Sequence, residues 1–145
     1  MKRLLIPLLL SLALPTLPAL AAEYRTTNAA AILYDAPSQK GNKLYVIRSG
    51  TPVDLVVTLE GWSKVRDADG SLTWIEKKYL SEKRTVIVVA PRAAIRKSAD
   101  DAAPLVFEAE KNVSLDFLGT TGLWANVRHG DGQTGFVRLN QIWGI

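Results

Sequence analysis

The side chains that could do chemistry in this chain are four tryptophans, a pair of arginines at matching places and a single histidine. Trp62, Trp74, Trp124 and Trp143 are the binding candidates, because an aromatic ring offers a large contact area at little cost in entropy. For Trp62 both ligand contact and core packing stand open. Trp74 and Phe136 fall where strand alternation would point them inward, so they are expected to complete small cores. Trp143 is expected to cap the end of the chain or to pack across onto its first half. Arg66 and Arg128 could each grip a carboxylate in a two-pronged way, or each could close an ion pair across a hairpin with Asp67 or Asp69 and their counterparts. The second reading is preferred. His129 lies in a turn, where a solvated surface position is expected. With no cysteine and one histidine, an ordinary zinc ligand set cannot be assembled, and a nucleophile–base pair would need a hydroxyl and an orienting group around His129. Asp67, Asp69, Asp100 and Asp101 fall in loops, where carboxylates are usually solvated. No glycine-rich phosphate loop is present. Nothing in the pattern points to catalysis, and no cofactor is expected.

These residues sit inside a repeat. Trp62 and Trp124 are 62 residues apart. The same offset pairs Leu33 with Ile95, Val53 with Leu115, Val65 with Val127, Arg66 with Arg128, Gly70 with Gly132 and Ile75 with Val137. Apolar residues match apolar ones and turn residues coincide, so the chain is read as two copies of one unit, near residues 29–81 and 91–145. In the first copy Ala30–Tyr34, Leu44–Arg48, Thr51–Leu59, Trp62–Arg66 and Leu72–Glu76 read as strands, with Val53, Leu55 and Val57 on one face. Asp67-Ala68-Asp69-Gly70 and His129-Gly130-Asp131-Gly132 read as hairpin turns, since glycine accepts the positive φ such turns need. Five short strands per copy and no helical period predict an all-β protein of two tandem small barrels packed closely together. Between the copies, Thr85-Val86-Ile87-Val88-Val89 is too apolar to be a free linker. It is expected to be a strand packed on one or both barrels.

The N-terminal segment reads as an export signal. Lys2 and Arg3 precede the apolar stretch Leu4–Leu14, Pro15 and Pro18 follow, and Ala19-Leu20-Ala21 supplies small residues at the positions a signal peptidase reads. Residues 1–21 are therefore expected to be a helical signal peptide cleaved after Ala21 or Ala22, with residues 22–84 as the first barrel and 85–145 as the second. The apolar run is too short for a spanning helix, which needs about 20 residues. With no cysteine near the cleavage site, a lipid anchor is not expected either, and no stable membrane anchor remains. Losing Lys2 and Arg3 lowers a formal net charge of +4 by two. The remaining charges are interleaved in sign, which argues against nucleic acid. Lys77-Lys78 and Lys83-Arg84 form a modest basic patch, read as a solvated face.

Each copy resembles a bacterial SH3 (SH3b) domain. Gly61-Trp62-Ser63-Lys64-Val65-Arg66-Asp67-Ala68-Asp69-Gly70 followed by Trp74-Ile75 is similar to the family ending "GW-x-KVR-x-x-DG-x-x-GW[IV]". Leu123-Trp124-Ala125-Asn126-Val127-Arg128 through Gly132, then Gly135-Phe136-Val137, repeats it. Ser49-Gly50-Thr51-Pro52-Val53 matches the family's glycine turn. The resemblance implies SH3-like five-stranded barrels of the sort often attached to cell-wall enzymes, where they bind peptidoglycan or other partners. The first copy is also similar to eukaryotic SH3 domains: Ala31-Ile32-Leu33-Tyr34-Asp35 to "ALYD", and Lys77-Lys78-Tyr79-Leu80 to "S-N-Y-V". That similarity implies an aromatic groove of Tyr34, Trp62 and Tyr79, with Asp35 in the specificity loop or serving turn chemistry. The proline of that groove has no counterpart, since Glu76 and Lys77 stand there. In the second copy Arg96 and Gln141 replace the two tyrosines, which makes the first copy the better candidate.

The expected function is a non-enzymatic binding module, periplasmic or secreted. Its ligand would be a peptidoglycan peptide or an extended segment of an envelope protein, met by Tyr34, Asp35, Trp62, Arg66 and Tyr79, with Trp124 and Arg128 as second-copy counterparts. The alternative is a structural or assembly scaffold of the envelope with no small ligand. An exposed aromatic groove would favour the first, and buried aromatics with an apolar patch elsewhere the second. The oligomeric state is left open by the sequence.

Overall fold

A computed structural model describes residues 20–145. The signal-peptide expectation falls almost wholly on residues 1–19, outside the described residues. Among the described residues no helix is long and apolar enough to cross a membrane.

The chain is all-β, and it forms two seven-stranded antiparallel sheets of identical strand order. In the first half the strands are β1 (Tyr24–Thr27), β2 (Ala31–Tyr34), β3 (Lys43–Ile47), β4 (Pro52–Thr58), β5 (Trp62–Arg66), β6 (Leu72–Glu76) and β7 (Leu80–Ser81). A single 3-10 turn at Lys77–Tyr79 joins the last two. The order across the sheet is β3-β2-β6-β5-β4-β1-β7. The second half repeats it with β8 (Thr85–Val88), β9 (Arg92–Arg96), β10 (Leu105–Glu110), β11 (Ser114–Thr121), β12 (Trp124–Arg128), β13 (Thr134–Arg138) and β14 (Ile142–Trp143). The five strands read from the first repeat are thus present as β2 to β6. Each sheet is completed by an opening strand and a two-residue closing strand.

The reason these residues form strands is visible in their burial. Along β5, Ser63 and Val65 are buried while Trp62, Lys64 and Arg66 face outward. In β6 the buried residues are Thr73 and Ile75. This period of two is what a pleated strand with one buried face requires. Two separate cores result. The first gathers Leu33, Val53, Val65 and Ile75. The second gathers Val86, Ile95, Leu115, Val127 and Val137, the residues one repeat later and the opening strand's own valine. The hairpin glycines adopt the expected left-handed backbone, Gly70 at φ 88° and Gly132 at φ 93°. In each turn the glycine N–H donates to the carbonyl three residues earlier, at Asp67 and at His129.

Two expectations are corrected. Trp74 and Phe136 do not point inward. They alternate with the buried pairs Thr73/Ile75 and Gly135/Val137, and so lie half-buried on the outer face. Val53, Leu55 and Val57 do not share a face either. A bulge between Leu55 and Val57 breaks the alternation, and Val56 and Val57 are exposed. The bulge recurs one repeat later, between Phe117 and Gly119. An extra residue in one strand twists and bends the ribbon, and a seven-residue strand needs that bend to curl round a small core.

The apolar run after residue 84 forms β8. It pairs with β11 and β14 of its own sheet and touches the first half as well. The Thr85 hydroxyl lies 3.0 Å from the Thr26 hydroxyl in a buried contact and donates to the Gly50 carbonyl at 3.0 Å. Around it the Arg84 guanidinium stacks between the Tyr24 and Phe117 rings, 5.4 Å from each. It also donates to the Gly144 carbonyl at 2.8 Å. Trp143 meets Tyr24 edge-on at 5.1 Å, so the last tryptophan packs onto the first half. The junction is thus a packed contact between the halves.

Candidate functional site

The first-half aromatics assemble where β2 and β6 meet. Tyr34 ends β2 and lies opposite Trp74 in register. It is 5% exposed, and Trp62 at the start of β5 stands edge-on against it, with ring centroids 5.4 Å apart at 85°. Edge-to-face geometry brings the positive rim of one ring to the negative face of the other, which holds both rings in place. Tyr79, on the 3-10 turn, is half-buried, with the Lys78 ammonium 5.1 Å over its ring. Tyr34 and Tyr79 line a shallow groove of about 190 Å³ together with Ile32, Val46 and Glu76. Glu76 occupies the place of the groove proline and pairs with Lys78 at 3.3 Å.

Asp35 is used for turn chemistry. Its carboxylate accepts the Asn42 backbone N–H at 2.8 Å and the Asn42 side-chain amide at 2.7 Å. Arg66 and Arg128 close ion pairs, but their partners lie across the sheet instead of in the hairpin. Arg66 meets Asp54 of β4 at 3.5 Å, and Arg128 meets Asp116 of β11 at 3.1 Å. Asp67 is occupied by the turn, accepting the Asp69 and Ser71 N–H groups. Both arginines are therefore committed within the sheet, and the repeat conserves the pair. Asp116 takes Lys83 as well, at 2.8 Å. Hydrogen bonds from Lys83 and then Arg128 outweigh partial burial and hold its carboxyl below the ordinary range. With Lys83 on Asp116 and Arg84 in the junction, the basic patch read from the sequence is dispersed.

In the second half the equivalent site is closed. Trp124 is 7% exposed, and the Arg138 guanidinium lies 4.8 Å over its ring. Arg138 in turn makes a two-pronged pair with Asp101. Arg96, in the place of Tyr34, donates to the Ala103 carbonyl at 3.0 Å. His129 is half-buried in its turn, with Nδ1 3.1 Å from Asp131 and its ring 5.5 Å from Phe107. No hydroxyl bonds to it among the described residues, which also hold no cluster of three His, Cys, Asp or Glu side chains that could take a metal.

A second groove was not foreseen. It lies at the junction, holds about 310 Å³ and is lined by Tyr45–Arg48, Asp67–Asp69, Ile87, Val89, Lys111 and Asn112. Three apolar residues in succession, Leu44-Tyr45-Val46, where a half-buried strand would alternate, could have hinted at an outward apolar set on β3. That the two halves meet beside it could not be read from one copy.

The bacterial SH3 domain family matches residues 28–82 and again residues 89–144. The chain belongs to this family. Bacterial SH3 domains are binding modules, often for peptidoglycan, and typically non-catalytic. A comparison with curated proteins finds no match. Among solved structures the chain is similar to NlpC2 from Trichomonas vaginalis, at 12% identity over 88% of this chain and 50% of that one, TM-score 0.41. It is similar to NlpC1 from the same organism, at 14% identity over 90% and 48%, TM-score 0.40. A third is an NlpC/P60 family protein from Bacillus cereus ATCC 10987, at 18% identity over 83% and 56%, TM-score 0.39. The chain thus spans about half the length of these structures.

Proposed function

We propose that this tandem bacterial SH3 protein is exported to the periplasm or secreted and acts there as a non-enzymatic binding module, taking a peptidoglycan peptide in the groove of its first half. The observation that carries this reading is the groove itself. Tyr34 and Tyr79 line it, Trp62 braces Tyr34, and the same place in the second half is filled by Arg138 and Arg96. The proposed ligand lies across Tyr79 and Ile32, with Glu76 at the rim as a partner for an amine. Asp35 acts indirectly, by fixing the loop beside the groove. Arg66 and Arg128 are expected to add little, because each already has a carboxylate.

The test is co-sedimentation of residues 22–145 with insoluble peptidoglycan. Tyr79→Ala should weaken binding at least about tenfold, the loss typical of an anchoring aromatic. Trp62→Ala should weaken it as well, while Trp124→Ala, once shown to be folded, should bind as the parent does. No sedimentation of the parent protein, or equal binding by Tyr79→Ala, would remove the groove from the account.

A second reading, an assembly scaffold for envelope proteins, is favoured by a separate observation. Leu44, Tyr45 and Val46 on β3 are exposed by 48%, 43% and 64%, an apolar set next to the junction groove.

A further inference from the structure

β3 is the outermost strand of the first sheet. Its only backbone pairing among the described residues is with β2. One edge therefore carries unpaired N–H and C=O groups, the template on which a further strand can form. Soluble proteins usually keep such an edge short, charged or covered. Here the strand is five residues long with a register shift at Leu44, yet its centre Leu44-Tyr45-Val46 is all exposed.

The junction groove runs along this edge. Tyr45, Val46, Ile47 and Arg48 all line it. Successive side chains of a strand point to opposite faces, so four consecutive residues can line one groove only where it follows the strand's margin. The opposite wall comes from the second half, from Ile87, Val89 and Lys111. Ile47 and Ile87 form an apolar floor. The Tyr45 hydroxyl donates to Asp67 at 3.0 Å and is thereby fixed at the margin.

Asp67 and Asp69 of the first half also line the groove beside Tyr45, and Asp67 is held there by the Tyr45 hydroxyl and the turn N–H groups, so the unpaired cations stand at the ends of the strand. Lys43 stands at one end of the strand, with Arg48 and Lys111 at the other, and none of the three has an ion-pair partner among the described residues. Two copies joined antiparallel through β3 would set the Lys43 end of each beside the Arg48 and Lys111 end of the other, and such a gathering of like charge is destabilising. A ligand with carboxylates at both ends of an apolar stretch satisfies the same positions.

We propose that the free edge of β3 and the junction groove take an extended peptide segment of a partner protein as an added strand, with acidic residues flanking an apolar centre. The affinity comes from main-chain hydrogen bonds to the edge, and the selectivity from Lys43 and Lys111 at its ends. This deepens the scaffold reading and rests on it only in taking the partner to be a protein. It is independent of peptidoglycan binding, although the two grooves meet at Val46.

The probe is a capped hexapeptide of alternating valine and threonine with a glutamate at each end, titrated calorimetrically into residues 22–145. A lysine-ended version of the same peptide is the control. The glutamate-ended peptide should bind at least about tenfold more tightly, the effect of opposite against like charge at both ends. Methylating every second amide nitrogen should abolish binding in one frame and spare it in the other, since alternate residues of an antiparallel pair exchange hydrogen bonds. The double variant Lys43→Glu with Lys111→Glu should reverse the preference between the two peptides, a readout that misfolding cannot mimic. Val89→Lys, at a residue that lines the junction groove and not the first-half groove, should lose peptide binding yet still sediment with peptidoglycan if that reading holds. Equal affinity for both peptides, an unreversed preference, or equal binding by both methylated frames would overturn the assignment. So would self-association of the protein that is lost in Glu108→Lys with Glu110→Lys, which would give the edge to β10 of a second copy.

Discussion

The two halves share one fold and one ion pair, yet they treat their aromatic residues oppositely. In the first, Tyr34 and Tyr79 line a groove and Trp62 braces Tyr34. In the second, Trp124 is covered by Arg138, which Asp101 holds in place. The Tyr45–Asp67 hydrogen bond of the first half becomes the Phe107–His129 contact of the second. Duplication preserved the buried positions, because two separate cores must each be filled. The outward positions are free to differ, and there one half has a recess while the other is closed. Sequence identity at the repeat offset is therefore a guide to packing and a poor guide to binding.

The comparison can be broken hardest at Gly135. A Cβ built there would lie 2.5 Å from Ile95 Cγ2 and 2.7 Å from the Arg96 carbonyl, whereas the first half carries Thr73 in the same place. Gly135→Thr should therefore destabilise the protein by about 1–3 kcal/mol, the usual cost of overpacking, measured by urea unfolding. A neutral result would mean that β9 and β13 part as easily as β2 and β6 do, and that the second half is not more tightly closed.

A smaller effect is expected with acid. Asp116 is held low by Lys83 and Arg128, and Asp101 and Asp131, also in the second half, are held low by Arg138 and by the Gln133 N–H with His129. A carboxyl depressed by folding adds stability that is full above its unfolded value, about 3.9, and is lost as pH falls through the lower folded value. The parent protein should lose stability as pH is taken below about 4. Asp116→Asn, which cannot take up that proton, should lose less over the same range. Parallel losses in parent and variant would show that Asp116 does not carry the acid response.

The smallest change sharpens the contrast directly. Arg138→Ala should leave the core intact and uncover Trp124, so acrylamide should quench tryptophan fluorescence more strongly than in the parent. Unchanged quenching would show that Arg138 does not shield the ring.

Most of the fold was legible because it rests on spacing. Trp62 and Trp124, Gly70 and Gly132, and Val65 and Val127 mark the repeat, and their regular alternation marks the inner strands. Tyr24–Thr27 was missed as a strand, because Tyr-Arg-Thr-Thr carries little apolar alternation and is ordered by pairing with β4 and β7. The inward placing of Trp74 rested on strand alternation taken in the wrong phase, and Thr73 and Ile75 hold the inner positions. The partner of Arg66 was sought nearby in sequence, but register brings Asp54 across from it. The aromatic pair Tyr34 and Trp62 was legible from the resemblance. The junction groove was not, since it depends on how two copies meet.

The Thr26–Thr85 hydroxyl bond and the Tyr24–Trp143 contact leave no slack chain between the halves. Any partner long enough to touch both meets them at one distance and one angle. A loose tether would offer a spread of distances, and its avidity would vary with its length. Here the reach of any simultaneous engagement would be set by the interface itself, as on a gauge of fixed span.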